Sequence, residues 1–329
     1  MRLAVNDNAA FGRVPAFLVK CAGLLPLCKT SAPYSIIVSI HLFDFVMTHL
    51  ILQAPNLLAS HIEKVAAIAS AGGVQELGST AVRLLDVDRN EAAAVEACCE
   101  EFAMDYAFFE QISRLRDCRI LAMDMDSTLV NIECIDEIAD MVGRKAEVAA
   151  ITEAAMRGEI SNFSESLIRR VALLEGVPVT ALEQVYEERL RLNPGAEKLV
   201  DVARKTGLKT LLVSGGFTFF TERLKERLRL DACHANVLEV SQGKLTGRVQ
   251  GDIVDADGKA SRLRALAQEL DAGPEQIIAV GDGANDLKMM ALAHFSVAYR
   301  AKPIVRQQAN YALNVSPLDG ILNGFRLSH

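Results

Sequence analysis

From residue 48 onward, apolar and polar positions alternate in blocks whose period switches between two and about three and a half, and each switch marks an element. Residues 48–53 (THLILQ) read as a strand, 57–70 as a helix and 74–77 as a strand. A Gly78-Ser79 turn follows, then a strand over 80–87, a helix over 91–103 and a strand over 105–109. This β-α-β-β-α-β order predicts a small α+β module. Further along, nearly continuous apolar runs at 119–126, 208–214, 277–282 and 294–299 are separated by helical patterns, which predicts a buried parallel sheet in an α/β domain. Residues 131–195 interrupt that alternation with helical patterns over 133–142, 145–156, 162–174 and 181–191. The stretch is too long for a simple loop and suits a small helical cap. The alternation over 237–249, with Gln242-Gly243 at its middle, reads as a β-hairpin.

The ends of these strands carry the chemistry. The run at 119–126 holds two carboxylates, Asp124 and Asp126, where charge is costly unless paired or bound to a metal. If the strand continues through both, side chains two apart leave on one face. Beside a divalent cation one carboxylate can act as nucleophile and the other as proton donor and acceptor. The competing reading is a strand-end turn whose Asp-Ser-Thr caps a helix. The second run ends in Ser214-Gly215-Gly216, a hydroxyl and free backbone N–H groups that suit a phosphoryl oxygen, or simply a glycine turn. The third ends in Gly281-Asp282-Gly283-Ala284-Asn285-Asp286, acid-rich enough for a cation site. Lys259 stands ahead of a helical stretch at 260–270 and is a surface charge unless the fold carries it to these loops.

Taken in order, Asp124-Met-Asp126-Ser-Thr, Ser214-Gly-Gly, Lys259 and Gly281-Asp-Gly-Ala-Asn-Asp286 resemble the four motifs of the haloacid dehalogenase phosphatases. Within them, the segments Asp124 to Glu133, Phe163-Ser-Glu-Ser-Leu-Ile-Arg-Arg170-Val, Val213 to Phe217, Gly243-Lys-Leu-Thr-Gly247 and Val280 to Asp286 are similar to the phosphoserine phosphatase family. The resemblance covers roughly 119–325. It implies a Rossmann-like core and hydrolysis of O-phosphoserine to serine and phosphate, the last step of serine biosynthesis, through an aspartyl-phosphate on Asp124. Asp126 would be the acid and base. It further implies Mg²⁺ held by the Asp124 carboxylate, the Asp126 carbonyl and Asp282. Ser214, Gly215 and Lys259 would hold the phosphate, with Asn285 and Asp286 orienting Lys259 or metal-bound water. Glu133 would receive the ammonium, Arg170 the carboxylate, and Phe163 would form an apolar wall; Met156 stands one residue off the family spacing for a second wall residue. A related phosphatase or phosphotransferase uses the same motifs, and an amino-acid sensor built around the N-terminal module is the more distant alternative. That module resembles ferredoxin-like or ACT-like domains, which dimerise or bind amino acids, or serve only to pack.

Composition adds limits. The 329 residues are 50 % apolar and 23 % charged, which is ordinary for a globular chain with room for two domains. A net charge of −7 argues against nucleic acid as a partner. The arginines and lysines over 223–229 are interleaved with glutamate and read as a solvated helix face. The seven cysteines include no CxxC pair and no zinc-type cluster, which points to reduced thiols and a cytoplasmic protein. Cys134 lies close to the first motif, where it is either oxidation-sensitive or buried apolar filling. The apolar stretch over 34–52 is broken by His41, Asp44 and His49, so a membrane span is not expected. Nor do residues 17–27 make a convincing signal peptide. Residues 1–46 fit neither module, and translation starting at Met47 would make them a spurious or disordered extension. The expected divisions are therefore 1–46, 47–118 for the α+β module and 119–329 for the phosphatase domain. The junction over 111–118 has neither glycine nor proline and should be packed.

Overall fold

The computed structural model describes residues 48–327, so the expectation for 1–46 lies outside the described residues. The N-terminal module runs β1 (Thr48–Gln53), α1 (Ala59–Ile68), β2 (Gly73–Gly78), β3 (Ala81–Val87), α2 (Ala92–Glu101) and β4 (Asp105–Phe109). Its strands form an antiparallel sheet ordered β2-β3-β1-β4, the ferredoxin-like arrangement. Alternation along β1 assigns the two faces. Leu50 and Leu52 point to α1 and α2, where they pack with Val65, Leu84, Val95 and Cys99. Ile51 and Phe109 instead join the core of the larger domain.

That domain continues with β5 (Ile120–Met123), α3 (Cys134–Met141), α4 (Lys145–Met156), α5 (Phe163–Ala172), α6 (Val179–Gln184) and α7 (Ala196–Thr206). Next come β6 (Lys209–Phe217), α8 (Thr218–Leu228), β7 (Ala232–Ser241), β8 (Lys244–Gln250) and α9 (Ala256–Glu269). The chain ends in β9 (Ile277–Gly281), α10 (Leu287–Met290), β10 (Phe295–Tyr299), α11 (Pro303–Gln308) and β11 (Tyr311–Leu313). The sheet order is β11-β10-β9-β5-β6-β7-β8, parallel throughout except for the β7–β8 hairpin. Two apolar layers cover its faces, one gathering Leu121, Met123 and Leu212, the other Ile120, Ala122 and Leu211. Burial on both faces is why these strands read as continuous apolar runs. The central strands β5, β6 and β9 end side by side, the position where open α/β sheets gather ligands. Helices α3 to α6 form the cap between β5 and α7. Among the described residues, no helix is long and apolar enough to cross a membrane.

Several boundaries differ from those the sequence suggests. The first strand of this sheet stops at Met123, and Met125–Leu129 form a wide, irregular turn with Ser127 at φ 55°. The carboxylates of Asp124 and Asp126 are therefore brought together by a turn and not by strand alternation. The second strand runs three residues further, through Phe217, because its end pairs with Asn236 of β7. The helix expected over 181–191 gives way at Val185–Arg189 to a wider turn. Helix α9 starts ahead of Lys259, capped by the Asp255 carboxylate accepting from the Gly258 N–H at 2.9 Å, which places Lys259 in its first turn. The short strand β11 carries too few residues for a periodic signal.

The junction is packed. Ile112, Leu115 and Cys118 are buried, and Arg326 N–H donates to the Ser113 carbonyl at 2.8 Å. The module's inner face closes on the larger domain through Phe109 stacked on Tyr311, with ring centroids 4.7 Å apart, and Asn323 donating to Gln53 at 2.7 Å. The buried Asp105 carboxylate accepts from the N–H groups of Asn314 and Ser316 at 2.6 and 2.7 Å, so charge and backbone donors satisfy each other away from water.

Candidate active site

Asp124 leaves the end of β5 with its N–H donating to the Val280 carbonyl of β9 at 3.0 Å. Its side chain is almost fully buried. Across it lies Lys259, with no exposed surface, its ammonium 2.5 Å from Asp124 Oδ1 and 2.7 Å from Asp286 Oδ1. Asp286 is held in turn by the Gly283 N–H, which donates to Oδ2 at 3.0 Å. Carboxylate oxygens of Asp124, Asp282 and Asp286 lie within 4.8 Å of one another. Asp282 accepts from the Thr128 hydroxyl at 3.3 Å. Asp126 Oδ1 accepts from the Cys134 N–H, at the first residue of α3, at 3.1 Å. Ser214 is fully buried, and its oxygen accepts from the Gly216 N–H at 2.8 Å, which leaves the hydroxyl hydrogen free to donate. Glycine at 215 and 216 lets neighbouring side chains approach the backbone closely. A Cβ on Gly215 would lie 2.7 Å from the Phe163 ring, and one on Gly216 would lie 2.6 Å from Asp126 Oδ2. Phe163 thus reaches from the cap onto the core strand.

The cap supplies the remaining expected residues. Glu133, at the start of α3, accepts from the Ser127 hydroxyl at 2.7 Å. Arg170 of α5 is half-buried in the same cleft, where its charge is felt by Asp136, Glu133 and Asp126 in that order. Asn285 sits on the turn Ala284–Asp286 beside the acidic cluster. Met156 does not join the wall: it is 66 % exposed at the end of α4. A groove of about 590 Å³ between β4 and α11 contains none of these side chains.

This is the arrangement of a known family. The family model for haloacid dehalogenase-like hydrolases matches residues 121–291. A phosphoserine phosphatase of Polaromonas sp. is 58 % identical over 213 residues, covering 64 % of this chain and 90 % of the relative. One of Archaeoglobus fulgidus is 41 % identical over 248 residues, 74 % of this chain and 72 % of the relative. The chain belongs to the phosphoserine phosphatase family of haloacid dehalogenase-like hydrolases. The unliganded crystal structure of a probable phosphoserine phosphatase from Vibrio cholerae matches with a TM-score of 0.73 at 38 % identity, over 84 % of this chain and 86 % of that one. A substrate-bound phosphoserine phosphatase complex matches with a TM-score of 0.60 at 38 % identity, over 64 % of this chain and 99 % of that one. A second family model, described only as a domain of unknown function, matches residues 50–95.

Electrostatics in the cleft follow from crowding carboxylates away from water. Burial, then Asp286, drives the Asp124 carboxyl well above its ordinary range, against the pull of Lys259. Burial, then Asp286 and Glu133, pushes Asp282 up to about 7. Burial and then Glu133 push Asp126 up to about 7. Burial alone would lower the Lys259 ammonium, but Asp124 and Asp286 more than reverse it, so it stays charged. Three acids with one lysine leave a surplus of buried negative charge that a divalent cation would neutralise. Hard carboxylate oxygens at these separations fit such an ion. Asp286 is already shared by Lys259 and the Gly283 N–H, which suits an orienting role better than a further direct contact with an ion.

Five contributing residues escape sequence reasoning. Asn193 donates to the carbonyls of Thr128 and Val130 at 2.8 and 3.0 Å, fixing the turn that carries Asp126. Asn236 donates to the Gly215 carbonyl at 2.8 Å and accepts from the Val254 N–H at 2.8 Å, bracing the Ser-Gly-Gly segment. Ser127 orients Glu133. Lys302, whose N–H donates to the Asp282 carbonyl at 3.2 Å, lends positive charge to Glu133 and Asp282. The charge of Arg170 favours the ionised form of Asp136. No local pattern marks an asparagine or lysine for such work. Cys134 is fully buried, and burial followed by the Asp126 charge raises its thiol far above the reactive range, so of its two readings the inert one stands.

Proposed function

We propose that the chain hydrolyses O-phospho-L-serine to serine and phosphate, in two displacements at Asp124. The observation that carries this reading is that one cleft holds Asp124 and Asp126 together with a carboxylate, Glu133, and a guanidinium, Arg170, the pair an α-amino acid requires. In the first step an Asp124 oxygen attacks phosphorus, the bond from phosphorus to the serine oxygen breaks, and Asp126 gives its proton to that oxygen. In the second, Asp126 takes a proton from water as the water oxygen attacks phosphorus, and the acyl-phosphate bond breaks to restore Asp124. A carboxyl held near neutrality, as Asp126 is, suits both transfers. Ser214, the Gly215 N–H and Lys259 would hold the phosphoryl oxygens, and Lys259 would offset charge developing on them. Mg²⁺ on the Asp124 and Asp282 carboxylates and the Asp126 carbonyl would neutralise the repulsion between nucleophile and phosphate. Phe163 against Gly215 would help exclude water. Asn285 would orient metal-bound water or Lys259.

The test is phosphate release from a panel of phosphomonoesters with Mg²⁺ and with EDTA, using the intact chain and Arg170→Ala. Preference for phosphoserine, loss of activity in EDTA and loss of that preference in Arg170→Ala are expected. Preference for a different ester would retain the aspartyl-phosphate chemistry and refute the assignment of Glu133 and Arg170.

A further inference from the structure

Strand β6 does not stay in register with β7. Val213 lies opposite His234 and Phe217 opposite Asn236, so three residues of β6 stand against one of β7. Those three are Ser214, Gly215 and Gly216, and a bulge of this kind re-aims the residues it displaces. The side chain of Asn236, itself buried, braces the bulge. Its Nδ2 donates to the Gly215 carbonyl at 2.8 Å, and its Oδ1 accepts from the Val254 N–H at 2.8 Å. These partners fix which way the amide faces, since a backbone N–H can only donate and a carbonyl can only accept.

The carbonyl of Gly215 and the N–H of Gly216 belong to one planar peptide group. Asn236 holds its oxygen, and its N–H donates to Ser214 Oγ at 2.8 Å. A flat unit pinned at both ends cannot rotate without breaking a hydrogen bond. Ser214 Oγ thus receives a fixed donor on one side, and its own hydrogen points elsewhere. A Cβ on Gly216 would lie 3.0 Å from Ser214 Oγ and 2.6 Å from Asp126 Oδ2, so the hydroxyl stands on the cleft side, near the Asp126 carboxylate. The donors run in one direction, from the Val254 N–H through Asn236 and the 215–216 peptide to the Ser214 hydroxyl. Each bond polarises the next, most effectively away from water, and Ser214 and Asn236 are both buried.

We propose that Asn236 is a positioning residue for Ser214: through the 215–216 peptide it aims the hydroxyl hydrogen at a phosphoryl oxygen and strengthens it as a donor. This rests on Ser214 holding the phosphoryl group. Asn236 touches neither substrate nor metal in this scheme. Its influence falls on the phosphoryl group in transfer, so every ester feels it alike, whatever alcohol it carries.

The intact chain, Asn236→Ala, Ser214→Ala and the double variant would be compared in kcat/KM for phosphoserine and for an aryl phosphate. The inhibition constant of vanadate, which adopts the five-coordinate geometry of phosphorus in transfer, would be measured alongside. Ser214→Ala should lower kcat/KM about 100-fold, the scale for one donor to developing charge. Asn236→Ala should lower it about 10–50-fold for both esters, with the vanadate constant rising in step, because the donor is misaimed but still present. In the double variant the loss should stay within about 2-fold of that in Ser214→Ala, since the asparagine acts only through the hydroxyl. Additive losses overturn the proposal, because they place the effect of Asn236 on another part of the site, such as the segment entering α9. Unchanged turnover in Asn236→Ala, with Ser214→Ala impaired, overturns it too and leaves Ser214 standing as a phosphate contact. A loss confined to phosphoserine overturns it by moving the effect to the cap. Full turnover and vanadate inhibition in Ser214→Ala overturn the reading of Ser214 itself, and the proposal with it. Asn236→Val, which suits a strand and carries no donor, decides the same comparison should the alanine disturb the fold.

Discussion

Replacing Lys259 with methionine keeps most of the buried stem and removes its charge. The ammonium has no exposed surface and lies 2.5 and 2.7 Å from two carboxylates, Asp124 and Asp286, that are themselves buried. Removing one partner of a buried pair costs about 3–5 kcal/mol, because the other charge is left without compensation. At about 2–4 °C per kcal/mol, this corresponds to a fall in melting temperature of about 10 °C. The loss has a ceiling set by protonation, since an orphaned carboxyl can take up a proton instead of remaining charged. Holding an ordinary aspartate protonated costs about 6 kcal/mol at pH 8 and about 2 kcal/mol at pH 5.5. The deficit should therefore shrink on acidification. Urea unfolding followed by far-ultraviolet circular dichroism, in EDTA at both pH values, measures it directly. A deficit below about 1 kcal/mol that does not change with pH would refute the reasoning, because it would mean that the pair is hydrated in solution.

Two further predictions follow from the same geometry. Gly216→Ala puts a methyl 2.6 Å from Asp126 Oδ2 and 2.9 Å from Met125 Cε, so Asp126 must move; turnover should fall about 100-fold, the usual penalty for a displacement of this kind, with the circular dichroism spectrum retained. Turnover within a factor of a few of the parent would contradict it. In metal-free protein, Asp126 and Asp282 are raised to about 7 in the folded chain, so between about 4 and 7 the folded state binds more protons than the unfolded one and stability falls as pH rises. Melting temperatures in EDTA should drop from pH 5 to pH 8, and Mg²⁺ should recover more at the upper end; a flat EDTA series would remove the crowded-carboxylate account.

Element identity was legible because it is local. β1 and β4 fall on residues 48–53 and 105–109, the bounds read from the local pattern of the chain. The order of the acidic and hydroxyl loops along the chain was enough to indicate family and chemistry. What the chain alone could not disclose depends on residues far apart in sequence. A lysine ahead of a helix carries no mark of burial; Lys259 becomes part of the site only because α9 packs against β6 and the turn Ala284–Asp286, 135 positions from Asp124. Asp126 owes its place to a turn fastened from behind by Asn193, on the segment that returns from the cap. The N-terminal module is docked by Asp105 reaching the backbone of residues 314–316, at the opposite end of the chain. Periodicity reports which side of an element avoids water, since that is decided within a few residues. Which charges end up facing one another is decided by how the finished elements pack, and only the folded chain contains that information.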